Sequence, residues 1–336
     1  MENGKTIRLA VIGCGDIAVT RHIPTIVNHP NAVLAALCDA DSERLRSLEA
    51  QYGGVRMTTD FHEILSDPTV EAVIIATPPW VTPIITQEAL QAGKHVLCEK
   101  PMATDLETAE EVIETQKITG KQLQIGLTYR HGPLMEKLRS WIEDGRLGSP
   151  LLYRLGIFEE PWNPVRDPEH YKRIFQTMAH GSPSLHDGAH VADFLYFLTQ
   201  STVTRVDSFG LRTRDEFPSS NYDVSIIRFA NGDMAKIEIG WFFPKLPLGE
   251  FEVVGPKGYA SFDRFNGAVQ LVSESHKETV ELEEEMAAVC FRSQLESFLA
   301  SISAGKPCIP GVKEGWNSLY LTKQIDQSLR KSNDHE

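Results

Sequence analysis

The sequence predicts an α/β protein: an N-terminal Rossmann domain, with a doubly wound parallel sheet, followed by a C-terminal α+β domain built on a large, mostly antiparallel open sheet. Two observations predict it. Strand-like and helix-like segments alternate through the first third of the chain, and strands separated by tight-turn sequences dominate the later part. A chain of 336 residues is long enough for two domains, which we place at residues 1–126 and 127–336.

In the first domain, short apolar runs predict strands, and the amphipathic stretches between them predict crossover helices. Thr104 is the expected N-cap of the last of these helices, with Glu107 three residues further on. The predicted strands are Ile7–Ile12, Val33–Cys38, Val70–Ala76, His95–Cys98 and Gln122–Gly126, and the clearest helices are Asp41–Tyr52, Val81–Ala92 and Thr104–Thr119.

The second domain opens with a helix and a long strand, and an irregular stretch rich in proline and aromatic residues then continues to Pro183. That stretch is too long for a simple connection, so we expect a functional loop. Further on, Asn231-Gly232 and Gly255-Pro256-Lys257-Gly258 are turn sequences that favour antiparallel hairpins. The acidic run Glu281–Glu285 is typical of a solvated turn or a helix start. The predicted elements are helices Pro133–Asp144, Ser184–Leu198, Ala287–Ala304 and Lys313–Leu329, and strands Pro150–Phe158, Val203–Arg214, Tyr222–Ala230, Asp233–Gly240, Phe251–Val254, Tyr259–Phe262 and Ala268–Val272.

Charge and cysteine content exclude several classes of protein. A formal net charge of -13 without a basic cluster opposes binding to nucleic acid or to an anionic membrane surface. No apolar run approaches membrane-spanning length and no signal-like stretch precedes the first strand, so we expect a cytoplasmic protein. The five cysteines are scattered and never spaced as CxxC, which is typical of buried thiols in a reducing compartment. They are Cys14, Cys38, Cys98, Cys290 and Cys308.

A glycine turn follows the first strand and opens the first helix. Its sequence, Gly13-Cys14-Gly15-Asp16-Ile17-Ala18, matches the dinucleotide-binding pattern GxGxxG/A in the context that the pattern requires. Gly13 permits the tight turn, Gly15 lets the backbone approach a pyrophosphate, and Ala18 keeps the helix close to the strand. With Asp16 and Ile17 at the helix amino terminus, these residues are the predicted phosphate-binding site.

An acidic residue at the end of the second strand predicts which dinucleotide binds. Asp39 lies 21 residues beyond Ala18, where a carboxylate accepts both ribose hydroxyls and repels a 2′-phosphate, so NAD is favoured and NADP remains possible. Arg44, one turn into the following helix, softens that preference. A helix N-cap is the alternative role for Asp39.

Two further segments stand at the carboxyl ends of strands, the edge at which open α/β sheets bind ligands. Ala76-Thr77-Pro78-Pro79 closes one strand next to the expected nicotinamide position, and Glu99-Lys100-Pro101 follows the next. Thr77, Pro78, Glu99 and Lys100 are therefore further candidates for cofactor binding. A plain loop and a solvated charge pair are the alternative interpretations.

These motifs, with Ala92-Gly93-Lys94-His95-Val96 and Gly188-Ala189-His190, resemble those of the Gfo/Idh/MocA oxidoreductases, which include glucose-fructose oxidoreductase and inositol dehydrogenase. The resemblance covers nearly the whole chain, with weaker matches at Gly255–Gly258 and at Phe298 to Pro307. It implies a dimer or tetramer. It also implies that Lys100 contacts substrate, often beside a cis peptide before Pro101, and that His190 is the acid/base.

The same residues suit the oxidation of an alcohol by NAD. That reaction needs a hydride acceptor, a base for the hydroxyl proton and a positive group near the developing alkoxide. Lys100 and His190 are the candidates for the last two roles, since a lysine beside the cofactor loses water and a histidine titrates near neutral pH.

The chain departs from the family pattern at His186. Many members have Asp-x-Gly-x-His, whereas this chain has His186-Asp187-Gly188-Ala189-His190. Residues four apart share a helix face, so we expect His186 and His190 to face the cleft together, as a substrate and catalytic pair, while Asp187 points about a quarter turn away. A metal site completed by His180 or a distant residue, and purely structural histidines, are the alternatives; we expect no metal.

Other side chains are candidates for the substrate pocket. Tyr129 and Arg130 follow the last strand of the first domain, and Arg130 could equally form a salt bridge between the domains. Asp193 lies on the same helix face as His190 and could orient it. Thr82 replaces a histidine that many family members carry. In the long loop the candidates are Trp162, Arg166, His170, Tyr171 and Lys172, although loop aromatics often pack the loop down.

Three functions fit these residues. The first is an NAD(P)-dependent dehydrogenase or reductase acting on the CH–OH group of a sugar, polyol or related cyclic compound. The second is a redox-neutral glycosidase or epimerase that works by oxidation, elimination and re-reduction. The third is a non-catalytic sensor, which Lys100 and His190 argue against because a sensor needs no proton-transfer pair. A broad open sheet often packs against a partner's sheet, so we expect a homodimer or homotetramer.

Overall fold

The computed structural model describes residues 6–163, 165–166, 168–247, 249, 251–263 and 266–333. The chain divides into two units, Met1–Thr128 with Ala287–Trp316, and Tyr129–Met286 with Asn317–Glu336. The first contains a parallel sheet and the second a mostly antiparallel one, so the predicted fold class is confirmed.

The sheet of the first unit has the strand order β3-β2-β1-β4-β5-β6, with every pairing parallel. Its order reverses between β1 and β4, and open α/β sheets bind ligands at such a switch point. The apolar runs that predicted these strands are buried because helices cover both faces of such a sheet. The strands are β1 (Ile7–Ile12), β2 (Ala32–Cys38), β3 (Arg56–Thr58), β4 (Ala72–Ile75), β5 (His95–Cys98) and β6 (Leu123–Ile125).

Three helices of this unit begin at aspartates that accept backbone hydrogen bonds. Asp105, not the expected Thr104, caps the helix before β6, because its carboxylate accepts from the backbone N–H of Thr108 at 2.8 Å. Asp41 caps the helix after β2, so Asp39 is not a helix cap. A π-helical turn (Ala18–His22) leads into α1 (Ile23–Val27), followed by α2 (Ser42–Glu49), α3 (Phe61–Leu65), α4 (Thr82–Gln91) and α5 (Leu106–Thr119).

The segment Ala287–Trp316 belongs to the first unit, although the predicted boundary placed everything after residue 126 in the second domain. Most of α10 (Met286–Ala304) lies in it, and Leu295 and Phe298 join the same apolar core as Ile7. The sequence did not indicate this placement, because an amphipathic pattern shows that a helix buries one face but not which sheet it covers.

The sheet of the second unit has the strand order β14-β13-β12-β11-β7-β10-β9-β8. Both predicted hairpins form, at Asn231-Gly232 and at Gly255–Gly258, while β7 and β10 pair in parallel. The last strand ends at Glu281, so the acidic run begins inside the sheet. The strands are β7 (Leu152–Glu159), β8 (Val203–Leu211), β9 (Tyr222–Phe229), β10 (Met234–Trp241), β11 (Phe251–Gly255), β12 (Gly258–Asp263), β13 (Ala268–Ser273) and β14 (Lys277–Glu281).

Helices cover one face of this sheet, and the predicted long loop contains one of them. Trp141 and Leu195 pack on the strand residues Tyr153, Ile227 and Ile237. The helices are α6 (Pro133–Glu143), α7 (Pro168–Met178), α8 (Pro183–His186), α9 (Gly188–Thr199) and α11 (Val312–Asn333), with a 3-10 turn at Thr128–His131. No helix in the described ranges is long and apolar enough to cross a membrane.

Candidate cofactor and substrate sites

The glycine turn has the geometry that dinucleotide binding requires. Gly13 has a φ of +90°, and a Cβ there would lie 2.4 Å from the carbonyl oxygen of Ala76, so only glycine fits. A Cβ at Gly15 would meet nothing within 4 Å. The turn therefore leaves open space beside the start of the helical segment, where Asp16 and Ile17 lead into the buried Ala18. A pyrophosphate fits such a space, next to backbone N–H groups.

Asp39 is held rigidly beside this turn. One carboxylate oxygen accepts the backbone N–H of Cys14 at 2.8 Å and the guanidinium of Arg44 at 3.0 Å, and the other accepts the N–H of Asp41 at 2.9 Å. The residue is only 7% exposed. A fixed carboxylate suits the ribose hydroxyls, and an arginine beside it, as Arg44 is here, is the kind of side chain that accommodates a 2′-phosphate.

The two cysteines near Asp39 do not contribute reactive thiolates. Burial, and secondly the charge of Asp39, raise the pKa of Cys14 to about 12, and the same two causes raise the pKa of Cys38 to about 12. Both thiols stay protonated at neutral pH. In the part of the chain that the structure describes, all five cysteines are free and buried.

The carboxyl ends of three neighbouring strands bring the remaining cofactor candidates together. Ile12, Ile75 and Cys98 are partners in the register of β1, β4 and β5. The segments that follow the strands keep the same register. The backbone N–H of Ala76 donates to the carbonyl of Ile12 at 2.8 Å, and the backbone N–H of Glu99 donates to the carbonyl of Ile75 at 2.9 Å. The glycine turn, Thr77-Pro78 and Glu99-Lys100 therefore follow adjacent strands at the same edge.

Thr82 ties down the loop after β4. Its hydroxyl lies 2.9 Å from that of Thr77 and 3.0 Å from the carbonyl oxygen of Thr77, and the side chain is 1% exposed. The residue that replaces the family's histidine thus supports the loop.

Glu99 lies within a contact that the sequence did not suggest. The Nε2 atom of His22 lies 2.7 Å from Oε1 of Glu99, and both side chains are largely buried. Lys100 is half-buried, and its peptide bond to Pro101 is cis, as the resemblance implied. No sequence pattern indicated a functional role for His22, because a histidine on a helix has many ordinary roles.

In the second unit, the predicted histidine pair splits between two environments. The chain breaks between α8 and α9 at Asp187, so the expected single helix Ser184–Leu198 is wrong. His186 is 4% exposed and stacks on Trp241 with ring centroids 5.7 Å apart. His190 is half-buried, with its ring edge-on to Tyr129 at 4.9 Å. The two rings therefore pack against different aromatic partners, His186 on Trp241 and His190 on Tyr129.

Trp241 also holds Asp187, a contact that no sequence pattern indicated. Its indole Nε1–H donates to Asp187 at 2.6 Å. Gly188 allows close packing here, since a Cβ at that position would lie 3.1 Å from Ile239. Across the described ranges, no group of three or more His, Cys, Asp or Glu side chains could hold a metal ion.

Arg130 forms a buried ion pair rather than an open substrate contact. Its Nε donates to Asp193 at 2.9 Å, the second nitrogen also bonds that carboxylate, and the side chains are 9% and 2% exposed. Both carboxylate oxygens of Asp193 are thus engaged by Arg130, and the ion pair lies within the second unit. This pair anchors the 3-10 turn that carries Tyr129.

The long loop is packed down by its aromatic residues. Trp162 contacts the rings of Tyr171 at 4.9 Å and Phe217 at 5.3 Å, and Arg214 lies over its face at 4.2 Å. The expected substrate contact is therefore part of an aromatic cluster. Arg166 and Lys172 are exposed on the same segment.

Glu160 is a second residue that the sequence analysis missed. It follows β7 with a φ of +53°, its carbonyl accepts from Phe242 at 2.8 Å, and its carboxylate bonds His170. Burial, and secondly the charge of Asp187, raise the pKa of Glu160. Strained backbone and a shifted pKa mark it as a candidate site residue.

Comparison with known proteins identifies the family. The model described as the GFO_IDH_MocA oxidoreductase family, NAD-binding Rossmann fold, matches residues 7–127, and the GFO/IDH/MocA C-terminal domain model matches residues 135–261. The chain belongs to the Gfo/Idh/MocA family of oxidoreductases. Membership of this family confirms the predicted oxidoreductase class and the predicted nicotinamide dinucleotide cofactor.

Several proteins of named activity resemble the chain over nearly its whole length. Myo-inositol 2-dehydrogenase of Thermotoga maritima is 24% identical over 333 residues, 97% of each protein. A levoglucosan dehydrogenase solved with NADH and levoglucosan has a TM-score of 0.85 at 20% identity, covering 97% of this chain and 98% of that one. A 3-ketoreductase from Actinomadura kijaniata, solved with NADP and TDP-benzene, has a TM-score of 0.83 at 20% identity and the same coverage. The two solved structures share the fold.

Proposed function

We propose that this chain transfers a hydride between a nicotinamide and a hydroxyl or keto carbon of a sugar, polyol or related cyclic polyhydroxylated compound. The observation that carries the proposal is the strand register, which aligns the glycine turn, Thr77-Pro78 and Lys100 at the carboxyl edge of one sheet. The named activities of the myo-inositol and levoglucosan dehydrogenases support the substrate class.

The cofactor, when bound, supplies the hydride acceptor or donor. Gly13 and Gly15, with Asp16, Ile17 and Ala18, would hold its phosphates, and Asp39 would hold its ribose, which favours NAD. Thr77, Pro78 and Glu99 would lie along the same edge.

Lys100 and His190 handle the substrate oxygen and its proton in this proposal. The ammonium of Lys100 steadies negative charge on the oxygen, and the imidazole of His190 takes or gives the proton at neutral pH. Tyr129 positions the His190 ring from its edge. Asp187 contacts substrate, and His186 supports the turn from its buried position on Trp241. A direct substrate role for Arg130, Trp162 or His186 is less favoured, because each is packed within the second unit.

The experiment mixes the purified protein with NAD or NADP and a panel of inositols, anhydrosugars and other polyols, and follows the absorbance of reduced nicotinamide. Steady turnover that falls at least about 100-fold in Lys100→Ala and in His190→Ala supports the proposal. Lys117→Ala and His276→Ala are the controls, since both side chains are largely exposed, at 74% and 54%.

Other outcomes identify the other functions. Product without accumulation of reduced nicotinamide indicates the redox-neutral enzyme. Tight cofactor binding without chemistry, unchanged in Lys100→Ala, would contradict both enzymes and support a sensor. Elemental analysis of the wild type and of His186→Ala tests for a metal, and a stoichiometric metal lost in the variant would contradict the metal-free chemistry proposed here.

We also propose that a second copy of the chain covers the open face of the eight-stranded sheet, giving a homodimer or homotetramer in the cytoplasm. Phe209, Leu211 and Tyr259 share that face by register and are 63%, 54% and 40% exposed. Exposed apolar groups on a broad sheet favour self-association. Light scattering should give an oligomer for the wild type and a monomer for Phe209→Lys/Leu211→Lys; a wild-type monomer would contradict the proposal.

A further inference from the structure

The contact between His22 and Glu99 is a buried polar pair directly before Lys100. His22 is 3% exposed and the Glu99 side chain is 13% exposed, with 2.7 Å between Nε2 and Oε1. Removing an imidazole and a carboxylate from water is costly even when they bond to each other. We therefore expect a buried pair of this kind, next to a candidate active-site lysine, to have a function.

The fold builds this contact from three separate elements. The π-helical turn Ala18–His22 starts at the last residue of the glycine motif, and such turns widen a helix locally and occur often at functional sites. The ring of His22 meets the ring of Phe291 edge-on at 5.0 Å, which fixes its plane. Glu99 is fixed in turn at the end of β5 by its hydrogen bond to Ile75.

The end of β6 leaves room for the carboxylate. A Cβ at Gly126 would lie 3.0 Å from Oε2 of Glu99 and 3.1 Å from its Cα, so any larger residue would push Glu99 away. The backbone N–H of Gly126 donates to the carbonyl of Cys98 at 2.7 Å, which keeps the two strand ends together. The space around Glu99 is thus limited on the side away from His22.

The second oxygen of Glu99 points back to the lysine. Its Oε2 accepts the backbone N–H of Lys100 at 3.3 Å, so one carboxylate joins the imidazole of His22 to the amide of Lys100. Among the described contacts, the charged or titratable groups beside Glu99 include His22 from the π turn, Cys98 at the end of β5 and the adjacent Lys100, while Phe291 and Gly126 contribute none.

We propose that His22 and Glu99 are a positioning pair for Lys100: His22 fixes the carboxylate, and the carboxylate holds the backbone N–H of Lys100 and places a negative charge next to that residue. The inference rests on the proposed function, in which Lys100 contacts substrate. Neither His22 nor Glu99 touches the reacting atoms in this arrangement.

The test uses Glu99→Gln, His22→Gln and the double variant, with kcat and KM measured from pH 5 to 10. Removing a neighbouring negative charge favours the neutral lysine, so the limb of the pH–rate profile that reports Lys100 should move down by about one pH unit in Glu99→Gln. His22→Gln should move it in the same direction by less, with a fall in kcat and little change in the substrate KM. Because His22 acts through Glu99, the double variant should match Glu99→Gln.

Thr25→Ala is the control, since Thr25 lies on the same helical segment and bonds only the backbone carbonyl of Arg21 among its described contacts. A structural role alone predicts that His22→Gln lowers the melting temperature, as Thr25→Ala should, with an unmoved limb in His22→Gln and in Glu99→Gln. That result would overturn the positioning role. If His22→Gln does not fold, an unmoved limb in Glu99→Gln overturns it equally. Full activity of Lys100→Ala would instead contradict the proposed function, so the two failures are distinguishable.

Discussion

The indole N–H of Trp241 donates a 2.6 Å hydrogen bond to the carboxylate of Asp187, at the break between α8 and α9. The same indole stacks on His186. Trp241 is itself fixed by two hydrogen bonds to Asn221. The side-chain amide of Asn221 donates to the backbone carbonyl oxygen of Trp241 at 2.9 Å, and the backbone N–H of Trp241 donates to the backbone carbonyl of Asn221 at 2.8 Å. One tryptophan therefore sets both residues at which this chain departs from the family pattern.

Trp241→Phe tests this relationship. Phenylalanine retains a ring for His186 but loses the donor, which removes one hydrogen bond from the partly buried carboxylate of Asp187. Losing a hydrogen bond to a charged group costs about 1.5–3 kcal/mol, so we expect kcat/KM to fall roughly 10- to 100-fold. Steady-state kinetics measures it. Trp162→Phe is the control, since Trp162 packs with other aromatic rings; an equal loss in both variants would contradict a specific role for the indole N–H.

Asp39→Ser should shift the cofactor preference toward NADP. The change removes the carboxylate that repels a 2′-phosphate and releases the guanidinium of Arg44, now 3.0 Å from Asp39, to bind it. We expect the ratio of the dissociation constants for NADPH and NADH to fall at least about tenfold, because each charge-assisted hydrogen bond contributes more than 1.4 kcal/mol. Nicotinamide fluorescence titration measures both constants. The double variant Asp39→Ser/Arg44→Ala should lose the gain in NADPH affinity. If the double variant still binds NADPH as tightly as Asp39→Ser does, residues other than Arg44 determine the cofactor preference.

Much of the cofactor side could be predicted from the sequence because its signals are local. The glycine turn, Asp39 and Lys100 each follow a strand that a run of apolar residues predicts. Parallel strands bring their carboxyl ends to one edge of the sheet. The position of a residue along the chain therefore fixes its place in the site.

The partners of those residues could not be predicted, because they come from distant parts of the chain. Phe291 reaches the ring of His22 from α10, a helix that the pattern could not assign to a sheet. Trp241 is 54 residues from Asp187, and nothing in its own strand distinguishes it from a core tryptophan. The helix α7 escaped notice because proline, charge and aromatic residues interrupt the apolar rhythm around it.

His131 should make the second unit sensitive to acid. Burial, and secondly the charge of Arg130, lower the pKa of His131 to about 4, whereas an unfolded histidine titrates near 6.5. The unfolded chain therefore binds the extra proton first as the pH falls, and stability that is full above pH 6.5 declines toward pH 4. The loss is on the order of 3 kcal/mol. Urea unfolding at several pH values should give a flatter profile for His131→Gln than for wild type or for the exposed-site control His276→Gln; identical slopes would contradict the assignment.

Gly15→Ala and Gly13→Ala should separate cofactor binding from folding. A Cβ at Gly15 meets nothing within 4 Å, so Gly15→Ala should fold with an unchanged melting temperature. It would still narrow the space for a pyrophosphate, and we expect the dissociation constant for NADH to rise at least about tenfold. A Cβ at Gly13 would lie 2.4 Å from the carbonyl oxygen of Ala76 at a φ of +90°, so Gly13→Ala should lower the melting temperature itself. Calorimetry and fluorescence titration measure the two effects. Unimpaired NADH binding by a folded Gly15→Ala would place the pyrophosphate away from this turn.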